Sequence, residues 1–290
     1  MFERVLQVYA KFGKELDPLF VSAAHAMYAE CLVDYGRFGD GVRMADAGYA
    51  PYRATVDASV SVWLPATRYA HAMQAVGNYA QAENALSQAL AASRVANVSR
   101  SYSAVPGGER LLALNYLYRG NQDKAQAMLK DVIAIDGAPV ERFASQRNFA
   151  HLGLASSYIA QGKLAEAEAE IAIMAGILGK IAPDEVAISR PAAAQQESLS
   201  GRLKMARGDA AGAADHFRRS VELLLPRQHA QSPHLAGARA DLALALVKQG
   251  DRSQAKALAA QARAALDQHA AVAPHLRKSL LEVEALLKRN

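Results

Sequence analysis

The sequence has little of several features that would otherwise direct its reading. Its 290 residues contain one cysteine, Cys31, which excludes a disulfide framework and any cysteine-based zinc cluster. Aromatic residues are 7% of the chain, with a single tryptophan. No window holds the roughly 18 to 20 uncharged apolar residues that a membrane helix needs. The start, MFERVLQVYAKFGKELDP, is charged throughout and has no signal-peptide apolar block. These absences predict a soluble, cytoplasmic protein. Strand-like runs alternating Val, Ile and Thr are missing too. What is present is a 51% apolar share, largely alanine, ample for a globular core. Alanine-rich segments with a 3.6-residue rhythm read as helices whose axes approach closely, so the expected class is all-α. Length alone suggests about two domains at roughly 150 residues each, a prior that fails for repeat arrays.

A repeat is present. Gly, polar, any, any, any, Ala recurs as GNYAQA at Gly77, GNQDKA at Gly120, GKLAEA at Gly162, GDAAGA at Gly208 and GDRSQA at Gly250, with a degenerate GRFGDG at Gly36. Successive glycines are 41, 43, 42, 46 and 42 residues apart. Seven residues before each stands a small residue: Ala29, Ala70, Ala113, Ala155, Gly201 and Ala243. A helix that ends at a glycine with positive φ, followed within a few residues by a second helix, explains this spacing. The small residue lets the partner helix pack at short range, and the alanine five after the glycine does the same on the second helix. Such a hairpin must stack on its neighbours to bury its face. Two units depart from the pattern. The Gly36 unit has Gly41 for the alanine, and the Gly208 unit has Ser200 and Lys204 for bulky apolar residues; both predict looser packing.

The large-small-x-x-large first helix, Gly-x-aromatic turn and spaced alanines resemble the tetratricopeptide repeat, most clearly in YAHAMQAVGNYAQAENALSQAL from Tyr69 to Leu90. The period near 42, against the family's usual 34, is similar to the kinesin-light-chain type found also in bacterial regulatory proteins. The resemblance implies a right-handed superhelical solenoid. One array is expected over 1–290, with hairpins at 18–54, 56–97, 107–136, 139–181, 184–225 and 232–269 and a C-terminal capping helix over 272–290. Residues 1–16 read as one helix, either a natural cap or the remnant of a repeat in a longer solenoid. Asp17-Pro18 and Ser232-Pro233 supply N-caps followed by proline at the first helical position. Asp184 and Glu185 suit a first helical turn. Asn97–Glu109 reads as the most loop-like stretch, and Leu225–Ser232 as the next.

Motifs of catalysis are missing: no H-E-x-x-H, C-x-x-C, G-x-x-x-x-G-K-[ST] or G-x-S-x-G occurs. No enzyme activity, cofactor or metal is expected. The eight histidines include no i, i+4 pair and read as solvated or packing residues. Cys31 reads as a small buried hydrophobe, and Glu166, Glu168 and Glu170 as a solvated helix face. Residues 201–290 hold 15 basic and 8 acidic residues, a net of +7, against −2 for the rest. That basic third suits an acidic partner. Nucleic acid is disfavoured, because Phe217 is the only aromatic residue after position 200 and no stacking platform accompanies the charge.

The resemblance further implies a concave groove lined by the first helix of each pair, at six, three and ten residues before the turn glycine. Carried onto this sequence, the candidate partner-binding residues are Glu30, Val33, Thr67, His71, Gln74, Arg110, Leu114, Leu117, Ser156, Ile159, Ser198, Arg202 and Met205. Such a surface offers an apolar floor with isolated polar anchors, suited to a protein or peptide ligand. The Lys/Asn cluster with which chaperone-binding relatives grip a carboxylate is not reproduced. The function expected is a protein- or peptide-binding scaffold, as the regulatory array of a larger bacterial-type regulator. The alternative is a ligand-gated sensor binding a peptide or small molecule in the groove.

Overall fold

A computed structural model describes residues 4, 7, 11, 17–53, 62–99, 104–135, 140–179 and 186–289. Apart from Arg4, Gln7 and Lys11, which are helical and exposed, the expected helix over 1–16 lies outside the described residues, as do Asp184 and Glu185. Among the described residues there are thirteen α-helices and no strand. They are α1 (Pro18–Tyr35), α2 (Phe38–Tyr49), α3 (Trp63–Ala75), α4 (Tyr79–Val95), α5 (Ala104–Tyr118), α6 (Gln122–Ile133), α7 (Val140–Ala160), α8 (Leu164–Leu178), α9 (Val186–Ala206), α10 (Ala210–Leu224), α11 (Pro233–Gln249), α12 (Arg252–Leu266) and α13 (Pro274–Lys288). Consecutive helices from α1 to α12 pair as six antiparallel hairpins, each stacked on the next, and α13 covers α11 and α12. The stack winds as a right-handed superhelix.

Local chemistry sets the hairpins. All six turn glycines have positive φ, from 73° at Gly162 to 100° at Gly250. This lets the chain reverse while the next N–H reaches back, as when Asn78 donates to the Met73 carbonyl at 2.8 Å. Asn78, Asn121, Asp209 and Asp251 then cap the second helices, each accepting from the N–H three residues on. Ala29, Ala70, Ala113, Ala155 and Ala243 have no accessible surface, nor have Ala82, Ala125, Ala167, Ala213 and Ala255. A larger side chain at any of them would push two axes apart.

The units expected to be loose are tight. A Cβ on Gly41 would stand 2.5 Å from Val33 Cγ2 and 3.3 Å from the Ala29 carbonyl, so α1 and α2 cross more closely there than an alanine permits. In the Gly208 unit, the Phe217 ring lies over Gly201, where a Cβ would meet it at 2.6 Å, and Lys204 pairs with Asp209 at 3.1 Å. Phenylalanine from α10 therefore supplies the bulk that Ser200 does not. The stretch expected to be loop also differs: α5 starts at Ala104 and carries Pro106, Gly107 and Gly108 buried in its first turns. A side chain on Gly108 would overlap the indole of Trp63, so this glycine serves the packing of α3 on α5.

The superhelix meets itself. The turns ending α1 and α3 touch the loops before α11 and α13. His229 N–H donates to the Tyr35 carbonyl at 2.9 Å, Gln228 Nε2 to the Asp34 carbonyl at 2.6 Å, and Ala273 N–H to the Ala75 carbonyl at 2.9 Å. A side chain on Gly36 would overlap Ser232, and one on Gly77 would stand 3.0 Å from Pro274. Val272 packs against both the N-terminal and the C-terminal hydrophobic clusters. Six long hairpins thus bring the two ends of the array together, and the concave surface becomes an inner wall shared by both.

Candidate functional site

The inner wall carries charge from both ends of the chain. Arg68 Nε on α3 lies 2.8 Å from Glu30 on α1, and His71 Nε2 lies 3.9 Å from Asp34. Opposite them, Arg202 on α9 pairs with Asp241 on α11 at 3.0 Å, and Asp241 also accepts from Ser279 on α13. Tyr118, at the end of α5, stacks on His275 with ring centroids 4.4 Å apart. Arg110 lies over the Phe149 ring and feels the charges of Glu30 and Arg68, while Tyr118 feels both Arg110 and Arg202. Groups up to 245 residues apart in sequence therefore share one interior (30 to 275).

Electrostatics follow from this enclosure. His71 keeps 31% of its side chain accessible, yet protein surrounds it, and burial lowers its pKa to about 4 against the pull of Glu30. Burial likewise lowers His234 and His275 to about 4. Both stand one residue after the proline that opens a helix, where the dipole further opposes a cation. Burial also brings Arg110 down to about 10 and pushes the Tyr118 phenol and Asp34 carboxyl up. At neutral pH the wall thus presents guanidiniums and carboxylates beside uncharged imidazoles, in surroundings where polar contacts are stronger than in water.

The thirteen sequence candidates divide. Glu30, His71, Arg110 and Arg202 meet on the inner wall. Leu114, Leu117, Ser156, Ile159, Ser198 and Met205 are half-buried on α5, α7 and α9. Val33, Thr67 and Gln74 are buried and do not face a ligand. Val33 packs under Gly41, Thr67 donates to its own helix at Trp63, and Gln74 donates to the Leu111 carbonyl at 2.8 Å. Of the three, Val33 packs within its own hairpin, Thr67 turns back on its own helix, and only Gln74 reaches the next pair. Sequence reasoning missed Asp34, Arg68, Tyr118, His234, Asp241 and His275. Two had a visible signal: Pro-His-Leu occurs at 233–235 and again at 274–276, 41 residues on, one repeat period apart.

One other expectation needs correction. Cys31 is exposed, and burial with the charges of Glu30 and Asp34 raises its pKa, so the thiol is neither core nor activated. His151 and His216 are packing residues, each bonding a glutamate of its own hairpin, Glu170 at 2.6 Å and Glu197 at 2.8 Å. Glu166 and Glu168 are exposed on their helix face, and Glu168 takes a two-pronged bond from Arg207 of the next unit, at 2.7 and 3.0 Å. The basic third spends much of its charge internally, with Arg219 on Glu197, Lys248 on Glu282 and Arg263 on Glu284.

A separate cleft of about 530 Å³ lies between α2 and α4, floored by Tyr49 and Tyr69 stacked at 4.8 Å. Its polar groups already satisfy one another, Tyr49 bonding Gln88, Tyr69 bonding Gln81 and Arg53 pairing with Asp46. It therefore offers less to a ligand than the inner wall. Among the described residues no group of three His, Cys, Asp or Glu side chains is placed to hold a metal, and no helix is long and apolar enough to cross a membrane.

No protein-family model matches the sequence, and no curated relative does. Solved structures do match in three dimensions. NprR in complex with its cognate peptide NprX aligns with a TM-score of 0.64 at 14% identity, over 99% of this chain and 78% of that one. The apo form of RapI gives 0.62 at 12% identity, over 90% and 89%. A tetratricopeptide repeat protein from Parabacteroides merdae gives 0.55 at 12%, over 99% of both chains. With the six glycine turns and buried alanines, these likenesses establish a tetratricopeptide-type helical repeat fold for this chain.

Proposed function

We propose that this array is a non-enzymatic scaffold that takes a peptide or an extended protein segment along its inner wall, as the regulatory part of a larger bacterial-type regulator. The observation that carries the reading is the convergence of Glu30, His71, Arg110 and Arg202 on one interior beside half-buried Leu114, Leu117, Ile159 and Met205. An apolar strip flanked by enclosed charges suits a chain molecule, whose side chains fill the strip while its polar groups find fixed partners. The likeness to NprR, a structure holding its cognate peptide, supports the same use of the fold. The self-contact favours a second reading, a sensor in which a bound peptide or small molecule alters the superhelix.

A pooled library of short synthetic peptides, passed over immobilised protein and read by mass spectrometry, tests the proposal. Selected peptides are expected to bind with a defined stoichiometry. Arg202→Glu or Arg110→Glu should weaken them tenfold or more, as loss of an enclosed charged anchor does. No retained peptide, or retention unaltered in both variants, overturns the assignment.

A further inference from the structure

His229, His234, His269 and His275 are spread over the last third of the sequence. In the structure all four sit where the superhelix meets itself, each against an aromatic ring from the first three hairpins. His229 stands edge-on to Tyr35 at 5.7 Å, His234 and His269 flank Phe38 at 5.0 and 5.8 Å, and His275 lies flat on Tyr118 at 4.4 Å. The contact is otherwise narrow. It includes backbone bonds from His229 and Ala273, the Gln228 amide, two glycine turns pressed on Ser232 and Pro274, and the apolar contacts of Val272 and Leu276 with the N-terminal cluster. Turns, loops and the first turn of α13 meet there.

We propose that this seam is a histidine-pinned clasp that holds the superhelix closed and is released by mild acid. His234 and His275 are the groups that decide it. Asp34 on α1 and the Val33 carbonyl favour a proton on His234, while burial and His71 on α3 oppose it. Asp241 on α11 favours a proton on His275, while burial, Arg202 on α9 and His234 oppose it. His275 Nδ1 is buried without a hydrogen-bond partner, so a proton added there would have no acceptor. Burial dominates at both, which holds them near 4 in the closed form against an ordinary value of 6.5. Their protons therefore bind the open form better. Below pH 6.5 the closed-to-open ratio falls by up to about tenfold per histidine for each pH unit. The imidazolium's attraction to a ring face acts in the other direction, but it does not offset an enclosed charge beside Arg202.

The test uses the intact chain without ligand. Hydrogen–deuterium exchange of the segments 225–234 and 266–275, corrected for intrinsic rate, is followed from pH 7.5 to 5.0 with helicity by circular dichroism. Both segments should lose protection together by a hundredfold or more while helicity holds. The single variants H234Q and H275Q, which carry no titratable group there, should each reduce that change by at least tenfold. Three outcomes overturn the clasp: protection unchanged down to pH 5.0, the same loss in both variants, or loss that tracks helicity and so reports global unfolding. Small-angle scattering over the same range gives a second reading, a rise in radius of gyration in the wild type and none in the double variant.

Discussion

Single residues decide how close the helices come. Gly201 and Gly176 both sit inside helices without positive φ, yet they should answer differently to alanine. At Gly176 nothing stands within 4 Å of an added Cβ, so Gly176→Ala should stabilise by about 0.5–1 kcal/mol through helix propensity alone. At Gly201 the same gain meets the Phe217 ring at 2.6 Å, and overpacking of that kind costs about 1–3 kcal/mol. Gly201→Ala should therefore be neutral to destabilising in urea unfolding, and Phe217→Leu in its background should recover part of the loss. Equal stabilisation at both glycines would contradict the packing described. The small residue seven before the turn was legible in the sequence because it recurs. That Gly201 makes room for an aromatic ring was not, because Phe217 belongs to the following helix.

At the scale of elements, the joints between hairpins are tied by polar groups as well as by apolar faces. Gln74 reaches the Leu111 carbonyl, and Asn115, with no accessible surface, donates to the Tyr79 carbonyl at 2.9 Å. Gln126 and Gln122 of α6 both bond Ser157 of α7. Because each unit touches mainly its neighbours, a broken tie should be felt at one joint. Asn115→Leu should cost about 1 kcal/mol in urea unfolding, since it removes the bond to the Tyr79 carbonyl and leaves the Gln74 amide only its bond to Leu111. A loss under about 0.5 kcal/mol would show that the tie contributes little. At the end of the array, Asp251→Ala should cost about 1 kcal/mol by removing the cap from α12. Hairpin spacing, turn glycines and caps could be read from sequence because each is fixed within a few residues. The ties could not, since Gln74 and Asn115 stand 41 residues apart and either would pass for a groove or surface residue.

At the scale of the whole molecule, closure changes what the concave face is. Asp34 and His234 act on each other across 200 residues, a relation no local pattern reveals. Only the twin Pro-His-Leu segments hinted at it. Closure also sets the response to pH. His71, His234 and His275 have folded values near 4, below the 6.5 of an unfolded chain. The stability they contribute is fully present above pH 6.5 and is lost as the pH falls from there toward 4. The loss is at most about 1.4 kcal/mol per pH unit for each histidine, and less for partly accessible His71. Asp34, raised by burial, acts in the opposite sense at lower pH. Urea unfolding at pH 7.5 and 5.5 should therefore show lower stability at 5.5, and replacing His234 and His275 by glutamine should flatten the difference.

Closure of the superhelix requires the two ends of the array to be in contact. His229 and Tyr35 are joined by a backbone bond of 2.9 Å, close enough for cysteines at these positions to bridge. With Cys31→Ser to remove the native thiol, Tyr35→Cys and His229→Cys should form an intramolecular disulfide under mild oxidation at pH 7.5. The bridged chain should migrate faster in non-reducing electrophoresis, with an unchanged radius of gyration. A pair that stays reduced, or that forms only after denaturation, would contradict the closed superhelix.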